Sequence, residues 1–290
     1  KKFTYVRQES YKLNYIAKVE LGEQKLDNPY ETFKDFYTKD YQRFVEYNIQ
    51  DVELVDRLED KMKLIELCLT MAYDYKVNYT DVYSQVRCWD TLIYNHLLQK
   101  NIIIPPREDN EKDSQYEGAY VKDPQLGLHN WIVSFDLNSL YPHLIMQYNI
   151  SPETFVGVEP KAVGVENFLD ERLNLKWAKD KNVTIAPNGA MFKRDKQGFL
   201  AELMEKMYTE RVVFKKKAIE AKKEFQKTKD PIYSNEISRC HNIQMAKKIA
   251  LNSAYGAIGN QYFRYFDVKQ AEAITLGGQL SIRWIERDVN

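Results

Sequence analysis

The sequence predicts an α+β fold on three observations. Residues 41–63 place apolar side chains at close to the helical period of 3.6. Residues 201–228 and 235–256 form two further helical stretches, separated by a helix break, which predicts a long antiparallel helical hairpin. Between these regions, the short apolar runs 119–121 and 131–135 are typical of strands, so we expect a sheet beside the helices.

The first part of the chain, residues 1–66, is a mixed region that ends in the helix of residues 41–63. Helices are also expected at about 64–76 and 90–100. The pair Pro105-Pro106 and the charged run that follows it are typical of a linker that extends to residue 115. The apolar positions that predict the first of these helices are Phe44, Val45, Ile49, Val52, Val55, Leu58 and Met62.

The second part of the chain contains the turn and break signals. Asn188-Gly189 has the composition of a β-hairpin turn. Asp230-Pro231 separates the two long helical stretches, because proline cannot continue a helix that began before it. Residues 262–290 predict a strand followed by an amphipathic helix, whereas residues 158–186 are polar and give no clear pattern.

Composition limits the class of protein without naming a function. The chain has 290 residues, 44% of them hydrophobic, which suffices for one large domain or for two to three smaller ones. Lys plus Arg equal Asp plus Glu at 42 each, and a net charge of zero neither supports nor excludes nucleic-acid binding, since only the binding groove need be basic. Three widely spaced cysteines indicate a reduced, intracellular protein without disulfides. No apolar run reaches the roughly 18 residues of a membrane span, so we expect no membrane contact.

The most informative segment is residues 131–142, which read WIVSFDLNSLYP. An apolar run leads into one carboxylate, Asp136, and a short polar turn then leads into a helix start. A buried charge is costly unless it has a partner, so an acid at the end of a strand commonly binds a cation. The alternative is that Asp136 only caps the helix after it.

The helical hairpin carries a second group of candidate residues. Lys248, Asn252 and Tyr255 lie at i, i+4 and i+7 and therefore share one helix face. Arg211 and Lys215 are four residues apart on the preceding helix, and two cationic faces of this kind suit a polyphosphate. The alternative is an ordinary solvated basic face, because the neighbouring positions are also rich in lysine.

Five segments, in order along the chain, resemble motifs of the family B DNA polymerases, and most closely those of large tailed bacteriophages. Residues 131–142 resemble the first polymerase motif, and residues 247–260 (KKIALNSAYGAIGN) resemble the second. Arg211 with Lys215 resembles the phosphate-binding pair of the fingers. Residues 116–119 resemble the Tyr-x-Gly-Gly/Ala segment between exonuclease and polymerase regions, and residues 47–51 resemble the third exonuclease motif, Tyr-x3-Asp.

The resemblance implies a palm with an antiparallel sheet, a long antiparallel fingers hairpin and a partial, RNase H-like exonuclease remnant. It places the C-terminal part of a 3′–5′ exonuclease domain at residues 1–66, and a helical connection and linker at 67–115. The first part of the palm then occupies 116–200, the fingers 201–257, and the return of the palm 258–290.

The resemblance also assigns roles to single residues. Asp136, with the backbone carbonyl of Leu137, would bind catalytic Mg²⁺, of which the complete enzyme would use two ions. The backbone N–H groups of Ser139, Leu140 and Tyr141 would bind phosphate oxygens. The remaining nucleotide contacts would come from Arg211, Lys215, Lys248 and Asn252.

Further roles concern selectivity and proofreading. Tyr141 would exclude a 2′-hydroxyl, and Tyr255 with Gly256 would contact the nascent base pair or the template. Tyr47 and Asp51 would belong to the exonuclease site, with Asp51 as a metal ligand. The alternative for Tyr141 is an ordinary core position.

The sequence also departs from the family pattern. It contains no Asp-x-Asp, although the family takes its second catalytic aspartate from a later Asp-Thr-Asp motif, and the first and second exonuclease motifs are missing before Asp51. We therefore expect part of a DNA-directed DNA polymerase that is inactive alone. Its partners would be primer–template DNA, deoxynucleoside triphosphates and a sliding clamp reached through a missing C-terminal region, in the cytoplasm of an infected bacterium. Two alternatives stay open: a catalytically dead DNA- or nucleotide-binding module, and a phage structural or regulatory protein that kept only the fold.

Overall fold

The computed structural model describes residues 7–110 and 116–289, and it divides into two compact units, one up to Thr70 and one from Met71 onwards. The fold is mostly helical α+β, with one three-stranded antiparallel sheet and one long helix pair among the described residues. Part of the expected linker, residues 111–115, lies outside the described residues. None of the described helices is long and apolar enough to span a bilayer.

In the first unit, the described residues form helices and irregular connections. Its helices are α1 (Leu13–Leu21), α2 (Phe33–Lys39), α3 (Tyr41–Met62) and the start of α4 (Leu64–Tyr75). Thr32 and Asp40 cap α2 and α3 by accepting backbone N–H bonds. Phe36 is fully buried among the rings of Tyr30, Phe44 and Tyr47. The predicted helix of residues 41–63 is therefore confirmed.

The second unit begins within α4 and contains the sheet. A 3₁₀ helix (Tyr79–Tyr83) precedes α5 (Gln85–Gln99), and α6 spans Leu140–Tyr148. The remaining elements, in chain order, are β1 (Phe155–Val163), α7 (Val165–Leu169), α8 (Lys176–Asp180), β2 (Val183–Ile185), β3 (Asn188–Lys193), α9 (Phe199–Thr228), α10 (Pro231–Ile258) and α11 (Val268–Val289).

The hairpin signals are confirmed. Strand order is β1-β3-β2, and the β2–β3 turn is closed by a bond from Gly189 N–H to the Ala186 carbonyl. Gly189 has φ +78°, and a Cβ there would lie 2.5 Å from the Glu159 carbonyl oxygen, so glycine is required. Asp230 accepts a bond from Ile232 N–H (2.9 Å) and caps α10, in which Pro231 is the first residue.

Three predicted strands are wrong. Residues 119–121 and 131–135 have no regular secondary structure, and Trp131 is 99% exposed. A strand needs a neighbour to accept its backbone bonds, and the three described strands pair only with one another. Residues 262–266 form turns instead of a strand: Phe263 N–H donates to the Asn260 carbonyl (2.9 Å) and Phe266 N–H to the Phe263 carbonyl (3.1 Å).

The base of α9 is held by the segment that follows α6. Asn149 Oδ1 accepts a bond from Gly198 N–H at 2.8 Å, and Glu153 Oε1 accepts one from Phe199 N–H at 2.5 Å. A Cβ at Gly198 would lie 2.4 Å from the Cβ of Ser151, so the chain approaches too closely for any other residue. These bonds satisfy N–H groups that a helix cannot satisfy internally, and they fix where α9 leaves the sheet.

Candidate active site

Asp136 lines an open pocket of about 470 Å³ in the second unit. The pocket lies between the irregular segment that carries Asp136, the start of α6 and one face of α11. The carboxylate is exposed and available to a ligand. Four of the predicted site residues share this pocket, namely Asp136, Leu137, Leu140 and Tyr141, and the other lining residues are Ala119, Tyr120, Phe135, Gly278, Gln279, Ile282 and Ile285.

The N-terminus of α6 lies next to this acid. Ser139 precedes the helix with φ 52° and ψ 44°, a left-handed conformation that turns the chain sharply before Leu140. His143 bonds the Ser139 carbonyl through both its backbone N–H (3.1 Å) and its ring Nδ1 (2.9 Å). First-turn N–H groups of a helix have no partner within the helix and favour an anion.

Arg211 connects the helical hairpin to this turn. Its Nη1 donates a hydrogen bond of 3.1 Å to Ser139 Oγ. Its Nε is buried and has no hydrogen-bond partner among the described residues. Lys215, one turn further along α9, is exposed. The structure therefore places a half-buried guanidinium at the turn between Asp136 and α6.

On α10, Tyr255 belongs to a cluster of three tyrosines. Its ring centroid lies 5.0 Å from that of Tyr141, edge to face, and its hydroxyl donates to that of Tyr116 at 3.1 Å. Burial, and then the bond to Tyr116, raise the pKa of Tyr255 well above its usual range. Asn252 and Gly256 are exposed, whereas Lys248 is half-buried.

Two glycines leave room for this tyrosine cluster. A Cβ at Gly259 would lie 2.3 Å from the Tyr116 hydroxyl oxygen, and a Cβ at Gly278 would lie 2.9 Å from Cε1 of Tyr141. Gly259 terminates α10, and Gly278 belongs to α11. Any larger residue would displace a ring, so these glycines set the positions of Tyr116 and Tyr141.

Side chains of α11 hold the segment that begins at Tyr116. Gln279 Nε2 donates to the Gly118 carbonyl (2.7 Å) and to Glu117 Oε1 (3.1 Å). Thr275 Oγ1 donates to the Glu117 carbonyl at 2.8 Å. Gln279 and Thr275 were not predicted as site residues, because nothing local in the sequence connects α11 to a segment about 160 residues earlier.

Ser253, within the segment 247–260, makes a contact that holds the helix in place. Trp89 Nε1 on α5 donates to Ser253 Oγ (3.1 Å) and to the Ala250 carbonyl (3.2 Å), and all three groups are buried. Tyr75 on α4 donates similarly to the Ala246 carbonyl. The helices α4 and α5 therefore hold α10 by donating to carbonyls along its length.

In the first unit, Tyr47 and Asp51 are brought together by a residue that sequence reasoning missed. Lys25 Nζ lies 2.7 Å from Asp51 Oδ2 and 4.7 Å from the centroid of the Tyr47 ring. Burial lowers the pKa of Lys25, but the bonds to Asp51 and Tyr47 outweigh it and raise the pKa overall. Asp51 Oδ1 is buried and has no hydrogen-bond partner among the described residues. A lone lysine 22 residues before a tyrosine gives no sequence signal by itself.

The donor set for a metal is incomplete within this segment. No group of three His, Cys, Asp or Glu side chains among the described residues could hold a metal ion. The Asp136 carboxylate fits Mg²⁺ as a single ligand, because it offers hard oxygens in an open pocket and Mg²⁺ keeps several water or phosphate ligands.

A pocket with one exposed carboxylate, a helix N-terminus and a cationic helical hairpin together define a site suited to phosphate chemistry. The sequence model of DNA polymerase family B matches residues 77–290, and the chain belongs to that family. The family expected from the five motifs is therefore confirmed.

Similar proteins include viral and cellular polymerases. The chain is 31% identical to the DNA-directed DNA polymerase of Escherichia phage RB69, over all of this chain and 36% of the relative. It is also 31% identical to that of Enterobacteria phage T4, with the same coverage. DNA polymerase 1 of Pyrococcus abyssi is 27% identical over 87% of this chain and 29% of the relative. The chain thus spans about a third of the length of the phage relatives.

Proposed function

We propose that this chain provides the nucleotide-binding part, and one catalytic acid, of a replicative polymerase that extends a primer on a DNA template. The single observation that carries the proposal is the 3.1 Å bond from Arg211 to Ser139. It joins a cationic helix of the hairpin to the turn that follows Asp136 in the sequence. A triphosphate in this place would meet a cation, helix N–H groups and a carboxylate-bound metal at once.

The domain assignment belongs to the same proposal. Residues 116–200 and 258–290 would form the palm, and residues 201–257 the fingers. The packing of α11 against α6 and β3, and of α9 against α10, supports this division. Residues 1–66 would be the C-terminal part of the exonuclease domain, and residues 67–115 would connect that domain to the palm.

Asp136, with the Leu137 carbonyl, would hold Mg²⁺. When bound, the two ions of the complete enzyme would supply charge stabilisation for the attacking and leaving oxygens. The chain's own residues bind and orient the nucleotide. The N–H groups of Ser139, Leu140 and Tyr141 would donate to phosphate oxygens, and the side chains of Arg211, Lys215 and Lys248 would offset phosphate charge.

The tyrosine cluster would contact the sugar and the base of the incoming nucleotide. Tyr141 is held between Gly278 and the ring of Tyr255, so it has little freedom to make room for a 2′-hydroxyl. Asn252, Tyr255 and Gly256 follow one another along the same helix, where they would face the nascent base pair or template.

Proofreading and partners extend the proposal to the complete protein. Tyr47 and Asp51 would serve a 3′–5′ exonuclease, and the unsatisfied Asp51 Oδ1 supports a metal ligand there. Primer–template DNA and deoxynucleoside triphosphates would be the substrates, and a sliding clamp would be reached through a C-terminal region outside this chain. The similarity to phage polymerases supports the proposal that the complete protein acts in the cytoplasm of an infected bacterium.

A second candidate is a binding module without catalysis. The absence of Asp-x-Asp from the sequence and of a three-ligand group from the described residues favours this candidate for the chain alone. Such a chain would bind nucleotide through α6, α9 and α10 without transferring it.

Primer extension tests both candidates. The chain, and a complete polymerase that contains it, would each be given a primer–template, Mg²⁺ and deoxynucleotides, and nucleotide affinity would be measured in parallel by calorimetry. We expect extension by the complete polymerase, and nucleotide binding without extension by the chain. The proposal would be refuted if the complete polymerase neither extended the primer nor bound nucleotide.

A further inference from the structure

A partly buried ion cluster, centred on one buried lysine, joins three helices beside the proposed nucleotide site. Lys247 of α10 is 9% exposed, and its Nζ lies 2.7 Å from Asp74 Oδ1 of α4 and 2.6 Å from Glu210 Oε2 of α9. All three residues belong to the second unit.

Each member of this cluster is followed in the sequence by a residue that contacts α10 or is proposed to contact the nucleotide. Glu210 precedes Arg211, and Lys247 precedes Lys248. Asp74 precedes Tyr75, whose hydroxyl donates to the Ala246 carbonyl of α10. The cluster therefore lies one residue from each of two cations assigned to the triphosphate.

Helix geometry makes this adjacency consequential. Successive residues of an α-helix are rotated by about 100° and advanced by about 1.5 Å. Fixing the rotation and height of Lys247 against Glu210 therefore fixes Lys248 relative to Arg211. Asp74 and Tyr75 add a fixed reference, because they bind consecutive residues of α10 from a third helix.

The charges of the cluster suit a role in positioning the helices more than a role in stabilising the fold. Burial lowers the pKa of Lys247, but Asp74 and Glu210 raise it by more, so the ammonium stays protonated. One cation faces two carboxylates, and Asp74 Oδ2 is buried with no hydrogen-bond partner among the described residues. Ion pairs commonly contribute little net stability, whether they are exposed or buried, so the arrangement calls for another reason.

We propose that Lys247 is a positioning residue for nucleotide binding, which sets the register of α10 against α9 and so the spacing between Lys248 and Arg211. This inference rests on the proposed function. It adds that the triphosphate clamp is preorganised by a neighbouring ion cluster that does not touch the nucleotide.

The test uses a complete polymerase that contains this segment. Single-turnover incorporation would give the deoxynucleotide Kd and the maximal rate, and thermal unfolding would give Tm. We expect Lys247→Met to weaken deoxynucleotide affinity by about tenfold or more while primer–template affinity stays within about twofold. Lys247→Arg, which keeps the charge, should restore nucleotide affinity to within about threefold of the wild type.

A matched control separates positioning from stability. Asp90, also 9% exposed, pairs with Arg264 (2.9 Å) and Arg107 (2.6 Å), neither of which belongs to α9 or α10. Asp90→Asn should lower Tm, as Lys247→Met does, but leave deoxynucleotide affinity within about twofold. The proposal would be overturned if Lys247→Met left nucleotide affinity unchanged. It would also be overturned if both variants lost nucleotide affinity in proportion to their loss of Tm.

A second variant covers failure to fold. Glu210 has a 35% exposed side chain, and Glu210→Gln leaves the pair between Lys247 and Asp74 in place. It should weaken nucleotide affinity several-fold, and an unchanged affinity would also overturn the proposal. If the wild-type polymerase incorporates no nucleotide at all, the proposed function fails first, independently of Lys247.

Discussion

Arg211 Nη1 donates to Ser139 Oγ across 3.1 Å, which connects the long helix α9 to the turn before α6. Ser139 lies three residues after Asp136, so this one bond relates the hairpin to the pocket that contains Asp136. Because α9 starts at Phe199, where Glu153 caps it, Arg211 lies more than three turns from its anchored end. A small rotation of α9 at its base would therefore change this contact noticeably.

Replacing Arg211 by alanine should lower nucleotide incorporation by about 10² to 10³, the usual cost of one preorganised charge-stabilising group. Ser139→Ala should cost less, since it keeps the guanidinium. Single-turnover incorporation by a complete polymerase measures both. Lys223→Ala, at an exposed position of the same helix, is the matched control and should stay within about twofold. Equal activity in Arg211→Ala and the control would contradict the assigned role.

Asp136→Asn should abolish synthesis, with a loss of at least about 10³-fold, while leaving the fold intact. The acid is exposed, so the free energy of unfolding should change by no more than about 0.5 kcal/mol. Primer extension and denaturant unfolding check the two parts. Asp123→Asn, an exposed acid of the same irregular segment, should keep full activity. Normal extension by Asp136→Asn would remove the acid from the mechanism.

The helices were predictable because their signals are local. The apolar period in residues 41–63 and the Asp230-Pro231 break depend only on neighbours in sequence, and α3, α9 and α10 follow them closely. The residue pattern of 131–135 also predicts a strand, but a strand forms only when another strand accepts its bonds. The described residues offer none to it, so its apolar side chains stay exposed.

The candidate site was predictable to the extent that motif residues touch one another. Asp136 and Tyr141, from one motif, share a pocket, and Arg211, from another, bonds Ser139. The supporting contacts were not predictable. Lys247 and Asp74 are 173 residues apart, and no local pattern indicates that a buried lysine will meet that acid.

Cys88 should make stability depend on alkaline pH. Its thiol donates to the Asp81 carbonyl at 3.6 Å, and burial, followed by the negative charge of Asp81, raises its pKa from 9.0 to about 11. Between these values the unfolded chain loses the proton while the folded chain keeps it, so stability falls as pH rises, by at most about 1.4 kcal/mol per unit. Denaturant unfolding from pH 8 to 10.5 should show a steeper fall for wild type than for Cys88→Ala. Parallel slopes would contradict this assignment.

Gly278 and Gly277 of α11 provide a matched pair for testing the tyrosine cluster. A Cβ at Gly278 would lie 2.9 Å from Cε1 of Tyr141, whereas one at Gly277 would lie 3.2 Å from Cε2 of Tyr148. Both sites are helical, so alanine itself favours the helix by up to about 1 kcal/mol in each case. Only the Gly278 variant pushes on Tyr141, which cannot retreat freely because the ring of Tyr255 lies 5.0 Å away.

Gly278→Ala should therefore lower the efficiency of deoxynucleotide incorporation by about tenfold to a hundredfold, as a displacement of a positioning group by a fraction of an ångström does. It should also change the ratio of deoxynucleotide to ribonucleotide incorporation, because Tyr141 is the residue proposed to exclude the 2′-hydroxyl. Gly277→Ala should leave both the efficiency and the ratio within about threefold, since Tyr148 is half-buried and does not line the pocket. Steady-state incorporation of paired deoxy- and ribonucleotides measures the ratio directly. An unchanged ratio in Gly278→Ala, together with unchanged efficiency, would show that the position of Tyr141 does not set sugar selection.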